Sequence, residues 1–171
     1  MRIQQESRER HTLAVIVDNE PGILARIAGL FTARGYNIAS LTVSEITDDA
    51  TISRITIVTS ASAAVLEQIV AQLDRLVPVH KVVDLTTLGP HVERELALVK
   101  VRGTGDHRIE ALRLADVYRA RVVDATTTSF VFEVTGGPDK IDTFIELMRE
   151  VGLIEVARTG IVAIARGNEA A

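Results

Sequence analysis

Two stretches of this 171-residue chain carry the same succession of hydrophobic periodicities, and that repetition limits the fold more than any other feature. Thr12 to Val17 is a continuous apolar stretch, the pattern of a strand buried on both faces. The Asp18-Asn19-Glu20-Pro21-Gly22 turn follows, and Pro21 suits a first helical position. Ile23, Leu24, Ile27, Ala28 and Phe31 then recur at helical spacing up to Gly35. Asn37 to Thr47 and Thr51 to Thr59 read as a hairpin about Asp48-Asp49. Val65, Leu66, Ile69, Val70, Leu73 and Leu76 mark a second helix, stopped by Pro78. Val79 to Thr86 is a fourth strand, with Val79, Lys81, Val83 and Leu85 on one face and His80, Val82 and Asp84 on the other. The order is βαββαβ.

Gly89-Pro90 breaks the pattern, and the same order then returns. Glu95 to Val101 is a strand, and Asp106 to Arg119 a helix carrying Ile109, Leu112 and Tyr118. Arg121 to Thr127 and Ser129 to Thr135 are strands, and Pro138 opens a helix that Gly152 closes. Leu153 to Ala165 is a last strand, in two pieces around Gly160. The expected class is α+β, two tandem ferredoxin-like (βαββαβ) domains, each a four-stranded antiparallel sheet with two helices on one face. The expected divisions are a tail at 1–10, a first domain at 11–86, a linker at 87–94 and a second domain at 95–171. Ile52, Val58 and Val82 fall on the sheet face away from the helices, which implies a covering partner and hence oligomerisation.

Composition narrows the function. Hydrophobic residues make up 47% and charged residues 25%, a globular balance. Aromatics are 4%, the net charge is −4, and no Lys/Arg run occurs, so nucleic acid is not an expected partner. The chain has no cysteine, which excludes thiol chemistry and suits a cytoplasmic protein. No apolar run approaches the ~20 residues of a membrane helix.

Chemistry is hard to find. His11, His80, His91 and His107 form no close ligand pair. His91 and Glu93 read as solvated linker, Asp48-Asp49 as a turn, and Thr126 to Ser129 as a hairpin end. Gly103-Thr104-Gly105 is half a dinucleotide fingerprint, and Arg108 stands where the third glycine belongs. The Asn19 to Gly22 turn is different. It sets backbone N–H groups at a helix start just after a buried strand, a place suited to a carboxylate, although a simple helix cap has the same pattern.

The run Asp18-Asn19-Glu20-Pro21-Gly22-Ile23-Leu24-Ala25-Arg26-Ile27 resembles the signature of ACT domains, the amino-acid-sensing modules of metabolic enzymes. Gly29 to Val43, Leu73 to Val79, His91 to Leu96, Lys140-Ile141-Asp142 and Glu155 to Gly160 are similar to the small-subunit family of acetohydroxyacid (acetolactate) synthase. The resemblance runs from about His11 to Gly167. It implies a first domain of ACT type in a non-catalytic regulatory subunit. Such a subunit has no cofactor of its own; thiamine diphosphate, Mg²⁺ and FAD belong to a catalytic large subunit, the expected partner. It also implies activation of that subunit, feedback inhibition by a branched-chain amino acid, with valine expected, and a homodimer holding the effector between paired ACT domains. The implied contacts are Asn19, Gly22 and Asn37, with Pro21, Ile23 and Ile38 beside them. Pro21 departs from the small polar residue common there and removes a donor N–H. Two other readings are an ACT-type sensor for a different enzyme or transcription factor, and an acylphosphatase-like enzyme. The second would want an arginine-bearing loop where Asp18-Asn19-Glu20 stands.

Overall fold

The computed structural model describes residues 8–168 and Ala170, which divide into two compact units. Of these, residues 8–92 with 161–168 and Ala170 form the first, and 93–160 the second.

In the first unit β1 (Glu9–Asp18), α1 (Ile23–Ala33), β2 (Ser40–Glu45), β3 (Ile52–Ala61), α2 (Ala63–Asp74), β4 (Val79–Asp84) and a short α3 (Leu85–Leu88) follow in order. The antiparallel sheet runs β2-β3-β1-β4. Leu13, Val15 and Val17 alternate with Thr12, Ala14 and Ile16 along β1, so one set meets the helices. With Ile27 and Phe31 of α1, Ile55 and Ile57 of β3, and Ile69 and Leu73 of α2, they form a fully buried core. Glu9 and Arg10, expected in the tail, pair with Ala61 and Ser60; Met1 to Ser7 lie outside the described residues.

Three expectations for this unit need correction. The chain bends at a register shift where β1 meets β4 between Ile16 and Val17. Val79 faces Val17 and Val82 faces Val15, so both pack on the helix-side core, and simple alternation fails at the extra residue. Leu85 does not extend β4. It opens α3, whose start is capped by the Asp84 carboxylate accepting from Thr86 N–H.

The third concerns the outer sheet face, expected to need a partner. Val58 and Thr56 are buried on that face within the chain itself. The cover includes Ile161 to Asn168 and Ala170, read from sequence as part of the second domain. Ala163 of β9 (Val162–Ala165) packs with Ala14 and Leu85. The Arg54 guanidinium donates to Ala163 O at 2.8 Å, and Ile161 N–H donates to Ser40 Oγ at 2.9 Å. Arg166 N–H reaches Pro90 O at 3.0 Å, and Lys81 Nζ reaches Ala170 O at 3.0 Å. The C-terminal segment is a strap across the first sheet.

The second unit holds β5 (His91–Arg102) from Glu93 onward, α4 (Asp106–Val117), β6 (Arg121–Ala125), β7 (Ser129–Gly136), α5 (Pro138–Val151) and β8 (Leu153–Arg158). Its sheet runs β6-β7-β5-β8. Val99, Phe132 and Val134 meet Ile141, Phe144 and Met148 of α5. Pro138 lies in the first turn of α5 and Gly152, in the left-handed region, ends it, as the pattern predicts. The expected face of α4 is wrong in part. Ile109 is 63% and Leu112 41% exposed, while Ala111 and Ala115 are buried and Tyr118 packs on the core. Small alanines let this helix lie close against its neighbours, a preference that a search for large apolar residues misses. Glu95 is buried and takes a two-bond contact from Arg158, at 2.7 and 2.6 Å. The Glu95 contact, with help from Asp142, holds the Arg158 pKa above its ordinary range.

Two outcomes follow from these contacts. Removing residues 161–171 uncovers apolar surface and strands Arg54, at a cost of about 3 kcal/mol. Thermal melts should show a midpoint roughly 6–12 °C lower, with new binding of a hydrophobic dye. A fragment ended near Gly89 should show the same weakness, and an unchanged melt would mean the strap is dispensable. In the second unit, Glu95→Ala should cost about 2 kcal/mol in denaturant unfolding, because it removes the buried half of the pair. Asp142→Asn, on the exposed side, should cost less than about 1 kcal/mol.

Candidate functional site

The sequence candidates begin at the end of β1. Asp18 and Asn19 are held by backbone bonds to Pro78 O at 2.8 Å and Thr51 O at 2.7 Å. The chain then makes a turn over Glu20–Ile23. Ile23 N–H donates to Glu20 O at 3.3 Å, with Gly22 at φ 90°, ψ −6°. Those angles are the third position of a type II turn, which wants proline second and glycine third. Pro21 therefore stands before the helix cap, not at the first helical position, and Gly22 is the cap. The type II geometry explains the Pro-Gly pair better than a proline-opened helix does.

This turn leaves the start of α1 open. No side chain caps it. Arg26 N–H bonds Gly22 O, but the N–H groups of Gly22, Leu24 and Ala25 meet no acceptor among the described residues. They lie at the positive end of an eleven-residue helix, an environment that favours a carboxylate. A Cβ on Gly22 would meet nothing within 4 Å, so the space above the cap is open. Ile23 is buried in the core and supports the turn from below.

Asn19 is exposed, and its side chain is firmly held. Nδ2 donates to Ala50 O at 2.8 Å and to Glu45 Oε1 at 3.1 Å. Ala50 sits at φ 55° in the β2–β3 hairpin. Asp49 organises that hairpin by accepting from Thr51 N–H and Oγ1, and hydrogen bonds from Thr47 first and then Thr51 keep its carboxyl below the ordinary 3.8. Asp48-Asp49 is thus a turn element.

Asn37 and Ile38 lie elsewhere. They precede β2, which starts at Ser40 and not at Asn37 as expected. Asn37 is exposed, its carbonyl accepts from Thr59 Oγ1 at 2.6 Å, and Ile38 packs on the core. The strand register fixes the separation. Asp18 pairs with Ile52, while Thr59 pairs with His11, seven residues away along β3. At ~3.4 Å per residue the two asparagines stand roughly 20–25 Å apart, at opposite ends of one sheet. The structure brings Asn19, Pro21, Gly22 and Ile23 together, and it keeps Asn37 and Ile38 apart from them within one chain.

The weaker candidates resolve as ordinary structure. Arg108, where a dinucleotide fingerprint needs glycine, donates to Gly103 O and Thr126 O and lies 4.1 Å over the Phe130 ring. Thr126, Thr128 and Ser129 bond one another as a hairpin end. Among the described residues no group of three His, Asp or Glu side chains could hold a metal ion, and no helix is long and apolar enough to cross a membrane. Glu45 and Ala50 were missed by sequence reasoning. Their link to Asn19 spans 26 and 31 positions and leaves no periodic signal.

Comparison with known proteins agrees with this architecture. Residues 13–81 match the AHAS small subunit-like ACT domain, and residues 94–167 match the small subunit of acetolactate synthase. A probable acetolactate synthase small subunit of Archaeoglobus fulgidus is 48% identical over 160 residues, covering 94% of this chain and 99% of that protein. The acetolactate synthase isozyme 3 small subunit of Escherichia coli is 44% identical over 161 residues, covering 94% and 98%. The crystal structure of the acetolactate synthase small subunit from Thermotoga maritima superposes with a TM-score of 0.84 at 36% identity, covering 94% of this chain and 99% of that one. On identity, coverage and fold together, the chain belongs to the acetolactate synthase small-subunit family, and its first unit is an ACT domain.

Proposed function

We propose that the chain is a non-catalytic regulatory subunit that binds a branched-chain amino acid, valine in the first instance, and controls a catalytic acetolactate synthase subunit. It activates that subunit and makes it sensitive to end-product inhibition. Thiamine diphosphate, Mg²⁺ and FAD are the catalytic partner's cofactors. The absence of any catalytic motif in the sequence supports a purely regulatory role.

The observation that carries this reading is the distance between Asn19 and Asn37. One α-amino acid cannot touch both in a single chain. Strand β2 lies at the edge of its sheet, with its outer backbone groups free to pair with another strand. Antiparallel pairing of two β2 edges would set the start of one strand against the end of the other. Glu45, at that end, bonds Asn19. Asn37 of one protomer would then approach Asn19 and Gly22 of its partner. The open N–H groups of α1 would take the carboxylate, and Pro21, Ile23 and Ile38 would border the apolar side chain. Small differences in that side chain are worth only ~1–3 kcal/mol, so valine, leucine and isoleucine all belong in the test.

Mixing tests the shared site. Asn19→Ala and Asn37→Ala should each weaken valine binding in calorimetry by at least about tenfold and so remove binding of wild-type affinity. Mixed dimers of the two should regain it, because one of their sites keeps both asparagines. Failure of the mixture to bind would refute the shared site. A second test is Gly22→Asp. Its left-handed backbone costs an L residue about 1–2 kcal/mol, less for aspartate than for most. The new carboxylate, ~5 Å from the effector's own at an effective dielectric of ~20, would oppose binding by about 3 kcal/mol, roughly a hundredfold. The folded variant should still activate the catalytic subunit and resist valine. Normal valine sensitivity would move the site elsewhere. Alone, the chain should form no acetolactate; turnover by the purified chain would overturn the regulatory assignment.

A further inference from the structure

We infer that the β2–β3 hairpin, through Glu45 and the Ala50 carbonyl, is the positioning element that makes Asn19 an acceptor-only contact for the effector's ammonium group. This rests on the reading that an α-amino acid binds at the Asn19–Gly22 turn.

A side-chain amide has two donor hydrogens and one acceptor oxygen. Both groups beside Asn19 Nδ2 are acceptors, a peptide carbonyl at 2.8 Å and a carboxylate oxygen at 3.1 Å. That settles which way the amide points, since the reverse orientation would set oxygen against oxygen twice. Both donors are consumed by the protein, and Oδ1 is left for a ligand. The neighbouring N–H groups at the start of α1 are donors only. The site is therefore polarised: donors at the helix cap take a carboxylate, and an oxygen at Asn19 takes a cation. A ligand bearing both groups on one carbon fits in one orientation, and an α-keto or simple branched acid loses one of the two contacts.

The hairpin is built to keep this orientation. Ala50 is held in the left-handed region at φ 55°, which aims its carbonyl at Asn19. Its N–H is tied to Thr47 O at 3.0 Å, and the next residue, Thr51, is tied by Thr47 Oγ1 and Asp49 Oδ1. Asn19 N–H in turn holds Thr51 O at 2.7 Å, so hairpin and turn brace each other from both sides.

The test uses the full chain, calorimetry and three probes: valine, isovalerate, which lacks the ammonium, and valinamide, which lacks the carboxylate. In the wild type both analogues should bind much more weakly than valine. In Asn19→Ala the preference of valine over isovalerate should shrink by on the order of tenfold, while the preference over valinamide should stay. Glu45→Ala should weaken valine several-fold, and Glu45→Gln, whose amide oxygen can still accept from Asn19, should restore it. Asn19→Asp, with no donor facing two acceptors, should bind valine worse than Asn19→Ala. The inference is overturned if Asn19→Ala alters the carboxylate preference instead of the ammonium preference, or if folded Glu45→Ala binds valine like the wild type. If Glu45→Ala does not fold, the Asn19→Ala comparison decides alone. Wild-type affinity in both Asn19→Ala and Gly22→Asp would instead overturn the underlying site, and this inference with it.

Discussion

Strand β3 pairs antiparallel with β1 on one side and with β2 on the other, and the arrangement of the first unit depends on that. The two outer partners must then run parallel to each other. The turn that leaves β1 and the segment that enters β2 fall at opposite ends of the sheet, joined by the length of α1. Backbone hydrogen-bond geometry thus separates two groups of residues that a family signature joins. The same geometry leaves β2 at an edge of the sheet. If the effector site is divided between protomers as proposed, binding and assembly form one equilibrium, through which a small amino acid would influence a larger complex.

The outer face of that sheet follows a different logic. Strands β1 and β3 carry Thr12, Ala14, Thr56 and Val58 there, all buried. The strap supplies cover by folding Ile161 to Asn168 back, with Arg54 and Ser40 satisfying main-chain groups that would otherwise be buried without partners. Burial pushes the Arg54 pKa down, and its bond to the Ala163 carbonyl gives the partly buried guanidinium a partner. Because the strap belongs to the first unit, the second unit is left as a smaller, uninterrupted stretch of 93–160.

Much of this was legible in the residues. The helical spacing of Ile23, Ile27 and Phe31, and of Leu66, Ile69 and Leu73, located both helices and their buried faces. Pro138 and Gly152 marked the bounds of α5. What escaped was wherever local pattern and tertiary register disagree. The extra residue in β4 broke the alternation, so Val82 faced inward against expectation. The alanines of α4 outranked its larger Ile109 and Leu112, because proximity and not bulk decided that face. At the candidate site, the Asn19 to Ile23 turn was recognisable from Pro-Gly after a buried strand, while its grip by Glu45 and Ala50 was not.

By itself the sequence determined two βαββαβ units, the position of the turn with its glycine, and a family resemblance spread over separated blocks. These depend on periodicity, on φ preferences and on local turn chemistry, all of which act over a few residues. Tertiary structure alone decided that Ile161 to Asn168 return to the first unit, that Asn19 Nδ2 is held by Glu45 and Ala50, and that Asn37 lies a sheet's length away from it. Each of those depends on hydrogen bonds or strand register between residues far apart in the chain, and register is fixed only when the whole sheet closes on its core.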